Sequence, residues 1–322
     1  MKAIIVAKEL EWQEVPEVRP GVGEVLIENY ATAVNRADLV QRAGGYPPPA
    51  GASEILGLEC AGEVIALGEG VTRIGIGDRV CALLSGGGYA ERVNVPAAQV
   101  LPVPDGLSLS QAAALPEVFA TAYLNLCMEA KLKKNERVLL HAGASGVGTA
   151  AIQLCRAFQN PCYVTAGSDD KIQRCIELGA VAGHNRHSGS FSSHVSEWTG
   201  GQGMNVILDP VAAGYLADNL ISLSDDGRLV VIGLMGGAVT EINLGLVLMK
   251  RLRIIGSTLR ARSAAFKGRV LDDLRERVWP LIEKGHIAPV LDRELPIQDA
   301  EMAHQLVASD QTFGKVVLRI RD

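Results

Sequence analysis

The segment Ala142-Gly143-Ala144-Ser145-Gly146-Val147-Gly148-Thr149 carries three glycines in the order G-x-x-G-x-G, directly behind the apolar run Val138-Leu139-Leu140. Ala151, Leu154, Cys155 and Phe158 follow at three- and four-residue spacing, one face of a helix. A strand, a tight glycine turn and a helix start together form an anion site. The helix N-terminus offers amide N–H groups with no intrahelical partner and the positive end of its dipole, and glycine lets the backbone approach a pyrophosphate. The spacing differs from the commoner G-x-G-x-x-G. A glycine-rich turn that binds nothing is therefore the alternative for this stretch taken alone.

The elements that must carry this turn are legible in outline. With 322 residues and 48% hydrophobic content, the chain can bury a large core, and two domains are expected. Residues 1–116 read as β-rich, with strand-like runs at Ala3–Val6, Val25–Tyr30 and Glu63–Ala66 punctuated by glycine and proline turns. From 117 to 257, strands at 138–142, 162–166, 180–184, 206–209, 228–233 and 253–257 alternate with helical stretches near 149–158, 171–178, 190–198, 212–222 and 244–250. That alternation predicts an α/β fold with a doubly wound parallel sheet. Residues 258–322 hold helical patterns at 270–284 and 298–308 and a closing strand at 315–320. They are too few for a domain of their own and are expected to complete the N-terminal one.

Several function classes are excluded. A net charge of −5 leaves no footprint for nucleic acid or an anionic membrane surface. No apolar run approaches the roughly 18 residues of a membrane span. The run Ala3–Val6 is too short for a signal peptide and reads as a first strand, so a cytoplasmic protein is expected. The six cysteines form no C-x-x-C pair, which argues against a zinc cluster and against a disulfide framework. His141 precedes the glycine turn on a strand expected to be buried, and a structural role is favoured for it. His184, His187 and His194 lie in a polar stretch and read as surface residues.

Several motifs in a fixed order then point to a family. They are Asn35-Arg36-Ala37-Asp38, Gly57-Leu58-Glu59-Cys60-Ala61-Gly62-Glu63-Val64, Gly77-Asp78-Arg79-Val80, Gly87-Gly88-Tyr89-Ala90-Glu91, Ala112-Ala113-Ala114-Leu115-Pro116, the 141–149 glycine segment and Gly233-Leu234-Met235-Gly236-Gly237. The chain resembles the zinc-free, zeta-crystallin-like quinone oxidoreductases of the medium-chain dehydrogenase/reductase superfamily. The Asn35–Asp38 run, the loop Tyr46-Pro47-Pro48-Pro49 and Gly233–Gly237 resemble most the apoptosis-inducible branch. The resemblance implies a GroES-like β-rich substrate domain (1–116 and 258–322), a Rossmann dinucleotide-binding domain (117–257) and bound NADPH. It also bears on metal. Zinc-dependent relatives carry Cys where this chain has Asn35 and His where it has Leu58. Leucine cannot ligate zinc and asparagine does so poorly, so a metal-free reductase is expected.

Under that resemblance, Gly143, Ser145, Gly146, Val147 and Gly148 cradle the pyrophosphate, with the Ser145 hydroxyl as a further donor or as a helix cap. An NAD enzyme carries an acid near the end of its second strand, but here Gly167 stands about where it would be. Space is left for a 2′-phosphate, with Ser168, Lys171 and Arg186 as donors, and NADPH is preferred over NADH. Asp169 and Asp170 oppose this unless they serve as helix-start residues. The resemblance further implies that Gly233, Leu234 and Met235 line the nicotinamide, that Asn35 and Thr121 contact it, and that Leu259, Arg260 and Lys315 close over the cofactor. A solvated face is the plainer reading of Lys315, and simple packing that of Met235. Tyr46 is the candidate catalytic hydroxyl beside Ser145, on a loop that the resemblance places over the nicotinamide. Arg36 and Asp38 could pair to fix the loop at Asn35.

The expected chemistry is hydride transfer to a quinone. The alternatives are reduction of an enone or enoyl thioester, or a cofactor-binding protein with negligible turnover. The resemblance also implies a homodimer, joined at the exposed edge of the Rossmann sheet near Arg253–Ser257.

Overall fold

The computed structural model describes residues 1–321. Its strands in chain order are β1 (Lys2–Val6), β2 (Leu10–Glu14), β3 (Glu24–Ala33), β4 (Glu59–Leu67), β5 (Arg79–Leu83), β6 (Arg92–Pro96), β7 (Val100–Pro102), β8 (Val138–Leu140), β9 (Cys162–Ala166), β10 (Ala182–Asn185), β11 (Met204–Asp209), β12 (Leu223–Val231), β13 (Arg253–Gly256), β14 (Leu291–Pro296) and β15 (Lys315–Arg319). Contacts divide the chain into two units, Met1–Ala120 with Leu259–Asp322, and Thr121–Thr258.

In the second unit the order is β10-β9-β8-β11-β12-β13, and every neighbouring pair is parallel. Renumbered from β8, this is 3-2-1-4-5-6, the doubly wound dinucleotide-binding order, whose crevice opens where the order reverses between β8 and β11. The interior strands are continuous apolar runs because helices cover both faces. Leu139, Ile207 and Leu229 pack with Phe191, Val195 and Leu220 in one core cluster.

The first unit is built on a seven-stranded sheet, β14-β15-β3-β4-β5-β7, with β6 paired to β3. Val25, Ile27, Val64, Val80, Val93 and Val95 fill a core on one side of it. Gly62 interrupts the apolar run of β4 for a steric reason. A Cβ there would lie 2.0 Å from the Glu28 carbonyl oxygen on β3.

Several boundaries differ from the sequence reading. The expected helix at 270–284 is two helices, Ala264–Arg277 and Trp279–Glu283. Pro280 has no N–H and clashes with the carbonyl a turn earlier, which breaks the rod. Ser263 caps the first helix, which starts at Ala264 rather than at 270, its hydroxyl accepting from the Phe266 amide at 3.2 Å. The stretch 212–222 opens as a 3-10 turn, Ala212–Tyr215, before the α-helix Leu216–Ser222. His184 is buried on β10, its Nε2 3.1 Å from the Gly189 carbonyl oxygen, and is not a surface residue.

Candidate active site

In the second unit the site begins where β8 ends. Ala142 adopts φ 53°, a left-handed conformation uncommon outside glycine, and reverses the chain. The Ser145 amide donates to the Ala142 carbonyl at 2.9 Å, and the Gly143 amide to the Thr165 carbonyl at 2.9 Å, which ties the turn to β9. Ser145 is the N-cap of the helix Gly146–Ala157, its Oγ accepting from the Gly148 amide at 3.0 Å. Among the described residues, the amides of Gly146 and Val147 meet no acceptor. Two of the three glycines are needed for close approach. A Cβ on Gly143 would stand 2.7 Å from Val164 Cβ, and one on Gly148 would stand 2.5 Å from the carbonyl oxygens of Ala142 and Gly143. The result is a helix start with two unspent N–H donors, which suits a pyrophosphate.

The turn after β9 holds the next group of predicted residues. Ser168 caps the helix Asp169–Leu178, its Oγ accepting from the Lys171 amide at 3.3 Å. Asp169 and Asp170 open that helix, and Asp169 Oδ1 accepts from Asn185 Nδ2 at 2.9 Å. Arg186, whose amide donates to the Ala166 carbonyl at 2.9 Å, runs its guanidinium past Gly167. A Cβ on Gly167 would lie 3.6 Å from Arg186 Nε. Cation and glycine therefore face each other where an NAD enzyme would hold its acid.

Beneath the turn, His141 is buried and fully bonded. Asn219 Nδ2 donates to Asp209 Oδ2 at 2.9 Å, which turns its Oδ1 toward His141 Nε2 at 2.7 Å. An amide oxygen only accepts, so Nε2 carries the proton and Nδ1 accepts from the Thr165 hydroxyl at 2.9 Å. Burial, partly opposed by Asp209, holds this imidazole below the usual histidine range and keeps it neutral. It joins β8, β9 and the helix Leu216–Ser222, a structural role. Farther along the sheet, Gly233, Leu234 and Met235 follow β12, and the Met235 amide donates to the Pro210 carbonyl at 3.1 Å. Leu234 is 59% and Met235 48% exposed, so core packing does not explain Met235. Thr121 lies in the helix Pro116–Tyr123, and its carbonyl accepts from Asn125 Nδ2 at 2.7 Å.

The first unit brings together side chains from widely separated segments. Asn35 precedes the helix Arg36–Arg42; its Nδ2 donates to Glu59 Oε1 at 3.0 Å, and its Oδ1 accepts from Lys315 Nζ at 2.6 Å. Lys315 is only 4% exposed. Its other two acceptors are the Val34 carbonyl at 2.8 Å and Glu59 Oε1 at 2.7 Å. Three ammonium hydrogens thus meet three acceptors. Lys315 is no solvated lysine, and with its donors spent it fixes Asn35 rather than reaching over a ligand. Glu59 Oε2 accepts from the Glu117 amide at 2.9 Å. The suggested Arg36–Asp38 pair does not form. Arg36 pairs with Asp310, while buried Asp38 accepts from the amides of Asn35 at 2.8 Å and Gly57 at 3.1 Å and from the Tyr89 hydroxyl at 3.2 Å. Burial pushes the Asp38 carboxyl up to about 6.

Leu259 and Arg260 are also buried. Arg260 donates to the carbonyls of Ser85 (2.9 Å) and Tyr46 (3.1 Å) and to Gln41 Oε1 (2.7 Å), so its fork holds the Tyr46 loop. Its Cζ lies 5.2 Å from the Tyr46 ring centroid, a cation–π contact. Tyr46 is half-buried; desolvation and the nearby Glu117 raise its phenol above the usual range, and Arg260 opposes them. Sequence reasoning missed Glu59, which anchors Asn35 and Lys315, the Glu117 amide, which anchors Glu59, and Ser85, which anchors Arg260. The available signal was a charge inside an apolar run, as in Leu58-Glu59-Cys60-Ala61 and Leu115-Pro116-Glu117-Val118-Phe119.

Comparison with known proteins accords with this architecture. Residues 21–105 match the alcohol dehydrogenase GroES-like domain, and residues 146–276 match the zinc-binding dehydrogenase family. The quinone oxidoreductase of Salmonella typhimurium is 32% identical over 317 residues, covering 96% of this chain and 95% of that protein. The chain belongs to the medium-chain dehydrogenase/reductase superfamily. Among its solved members, the Escherichia coli quinone oxidoreductase complexed with NADPH superimposes with a TM-score of 0.87 at 30% identity, covering 99% of each chain. An NAD-dependent alcohol dehydrogenase superimposes with a TM-score of 0.86 at 29% identity, covering 99% of this chain and 100% of that one. A subunit of the phenolphthiocerol/phthiocerol polyketide synthase of Mycobacterium tuberculosis is 30% identical over 97% of this chain, which spans 14% of that protein's length.

The zinc of some superfamily members does not suit this chain. Asn35 has both ends of its amide engaged, and Leu58 is buried in the core. Among the described residues, no three His, Cys, Asp or Glu side chains converge as a metal set.

Proposed function

We propose that this superfamily member reduces small quinones with hydride from NADPH. The observation that carries the reading is the pair of unspent amides at Gly146 and Val147, at a helix start reached through a glycine turn packed tightly against β9. The relation to quinone oxidoreductases supports the acceptor, and Arg186 beside Gly167 supports the 2′-phosphate, with Ser168 and Lys171 on the same turn. When bound, the nicotinamide supplies the hydride. In the Rossmann unit Gly143, Ser145, Gly146 and Val147 hold the phosphates, while Thr121, Gly233, Leu234 and Met235 are the residues assigned to the nicotinamide. In the GroES-like unit Asn35, held by Lys315 and Glu59, is assigned to the nicotinamide, and Tyr46, held by Arg260, to the acceptor.

The similarity to a segment of a polyketide synthase favours a second acceptor class, an α,β-unsaturated carbonyl such as an enone or enoyl thioester. A homodimer is part of the proposal. Edge strand β13 pairs on one side only, and its Ile254 is exposed, as are Leu248 and Met249 in the segment before it.

Fluorescence titration with NADPH and NADH, then stopped-flow oxidation of NADPH against quinone and enone panels, tests the reading. NADPH should bind more tightly and be consumed with quinones. Indifference to both nucleotides would refute the reading, and tight binding with no turnover of either panel would mark a cofactor-holding protein instead.

A further inference from the structure

In the Rossmann unit the loop 233–237 lies on the short turn that follows β11, and the two are laced together through their backbones. The Met235 amide donates to the Pro210 carbonyl at 3.1 Å, the Gly236 amide to the Val211 carbonyl at 2.7 Å, and the Ala213 amide to the Gly237 carbonyl at 3.2 Å. Two glycines permit this approach. A Cβ on Gly233 would stand 2.8 Å from the Pro210 carbonyl oxygen, and one on Gly236 would stand 2.7 Å from Val211 Cγ1. Whatever fixes residues 210–213 therefore fixes residues 233–237.

The turn is fixed by Asp209, the last residue of β11 and fully buried. Its Oδ1 accepts from the amides of Val211 at 2.6 Å and Ala212 at 3.1 Å. Ala212 is left-handed at φ 66°, a conformation that an alanine keeps only when its surroundings impose it. Oδ2 accepts from Asn219 Nδ2, and through Asn219 Oδ1 and His141 the hydrogen bonds reach the Thr165 hydroxyl. The Thr165 carbonyl in turn holds the Gly143 amide of the glycine turn. Thr165, His141, Asn219 and Asp209 are all buried, and each donor in the file points toward Asp209. A buried polar file that is satisfied at every step holds one geometry.

We infer that Asp209 is the positioning residue of the loop 233–237, and that the file Thr165–His141–Asn219–Asp209 ties that loop to the glycine turn so that both ends of one nucleotide are held at a set spacing. This rests on the reductase reading above, which assigns the loop to the nicotinamide, and it deepens that reading. Asp209 touches no reacting atom. Hydride transfer depends steeply on where the nicotinamide carbon sits, so an anchor behind the loop acts on rate as well as on affinity.

Asp209→Ala frees the turn. Adenosine 2′,5′-bisphosphate, which lacks the nicotinamide end, should then bind within about twofold of wild type, while NADPH affinity and kcat with a quinone each fall by about tenfold or more. Asp209→Asn keeps an oxygen for the Val211 and Ala212 amides and should restore most of both losses. Its new N–H faces Asn219, which must turn over and present its own N–H to His141. The His141 proton then moves from Nε2 to Nδ1.

The test joins nitrogen NMR of the histidine rings in the nucleotide-free protein with calorimetric titration of the bisphosphate and NADPH, and with stopped-flow oxidation of NADPH by a quinone. Wild type should show His141 protonated at Nε2 and Asp209→Asn at Nδ1. Should Asp209→Ala fail to fold, Asn219→Leu cuts the file and leaves the turn its own bonds, and it should show the same split between the two ligands. Equal losses for bisphosphate and NADPH, or wild-type NADPH affinity and kcat in the variant that folds, would overturn the inference. So would an unchanged His141 tautomer in Asp209→Asn. A wild type that binds neither ligand would remove the reductase reading and this inference with it, and that outcome is visible before any variant is made.

Discussion

The two units carry their candidate functional residues by opposite means. The Rossmann unit uses backbone and empty space: two free amides, a left-handed Ala142, and glycines that hold side chains away from Val164 and the 142–143 carbonyls. The GroES-like unit uses a buried ion pair and its amide partner, with Asn35, Glu59 and Lys315 drawn from three separate segments. A backbone site has no partner to lose, so damage to it comes from added atoms. A charge cluster fails when one member is taken away and another is left buried without its partner.

That contrast can be broken most severely at Lys315. Lys315→Met strands Glu59 in the interior and should cost about 3–5 kcal/mol in urea unfolding, and adding Glu59→Gln should restore much of the loss. Near-equal stability of the single variant would mean the cluster is not a coupled unit. In the other unit, Arg186→Gln should weaken NADPH by about 1.5–3 kcal/mol and leave NADH nearly unchanged in calorimetric titration, because only the 2′-phosphate would bond the guanidinium. Equal losses for both nucleotides would remove Arg186 from that role. Gly148→Ala adds one methyl against two carbonyl oxygens at 2.5 Å and should lower stability by about 1–3 kcal/mol, measurable as a shift in Tm, together with nucleotide affinity. An unchanged Tm would show that the turn can open to admit side chains.

The same contrast explains what could be read from the chain alone. The glycine turn, the six parallel strands and the missing acid at Gly167 are local signals, written within a few residues of one another. The charge cluster is not local. Lys315 stands before a short terminal strand and looks solvated until β15 is seen pairing with β3, which puts its ammonium against Asn35 and Glu59. Arg36-Ala37-Asp38 invites a neighbour pair, yet Asp38 turns inward because it sits three residues past Asn35 and accepts its amide. His184 was misplaced for a similar reason. Polar neighbours suggested water, while the parallel pairing of β10 with β9 carries it inside.

The pairing of β15 with β3 also governs the order of assembly on the ribosome. The Rossmann unit is one unbroken segment, so it can close as soon as residue 258 has emerged. The other unit must wait for the last strand, holding open a nascent sheet whose Glu59 has no counter-ion until residue 315 arrives. Stalled or prematurely terminated chains would therefore present a finished nucleotide fold tethered to an unclosed β-sheet, the form a quality-control protease meets first.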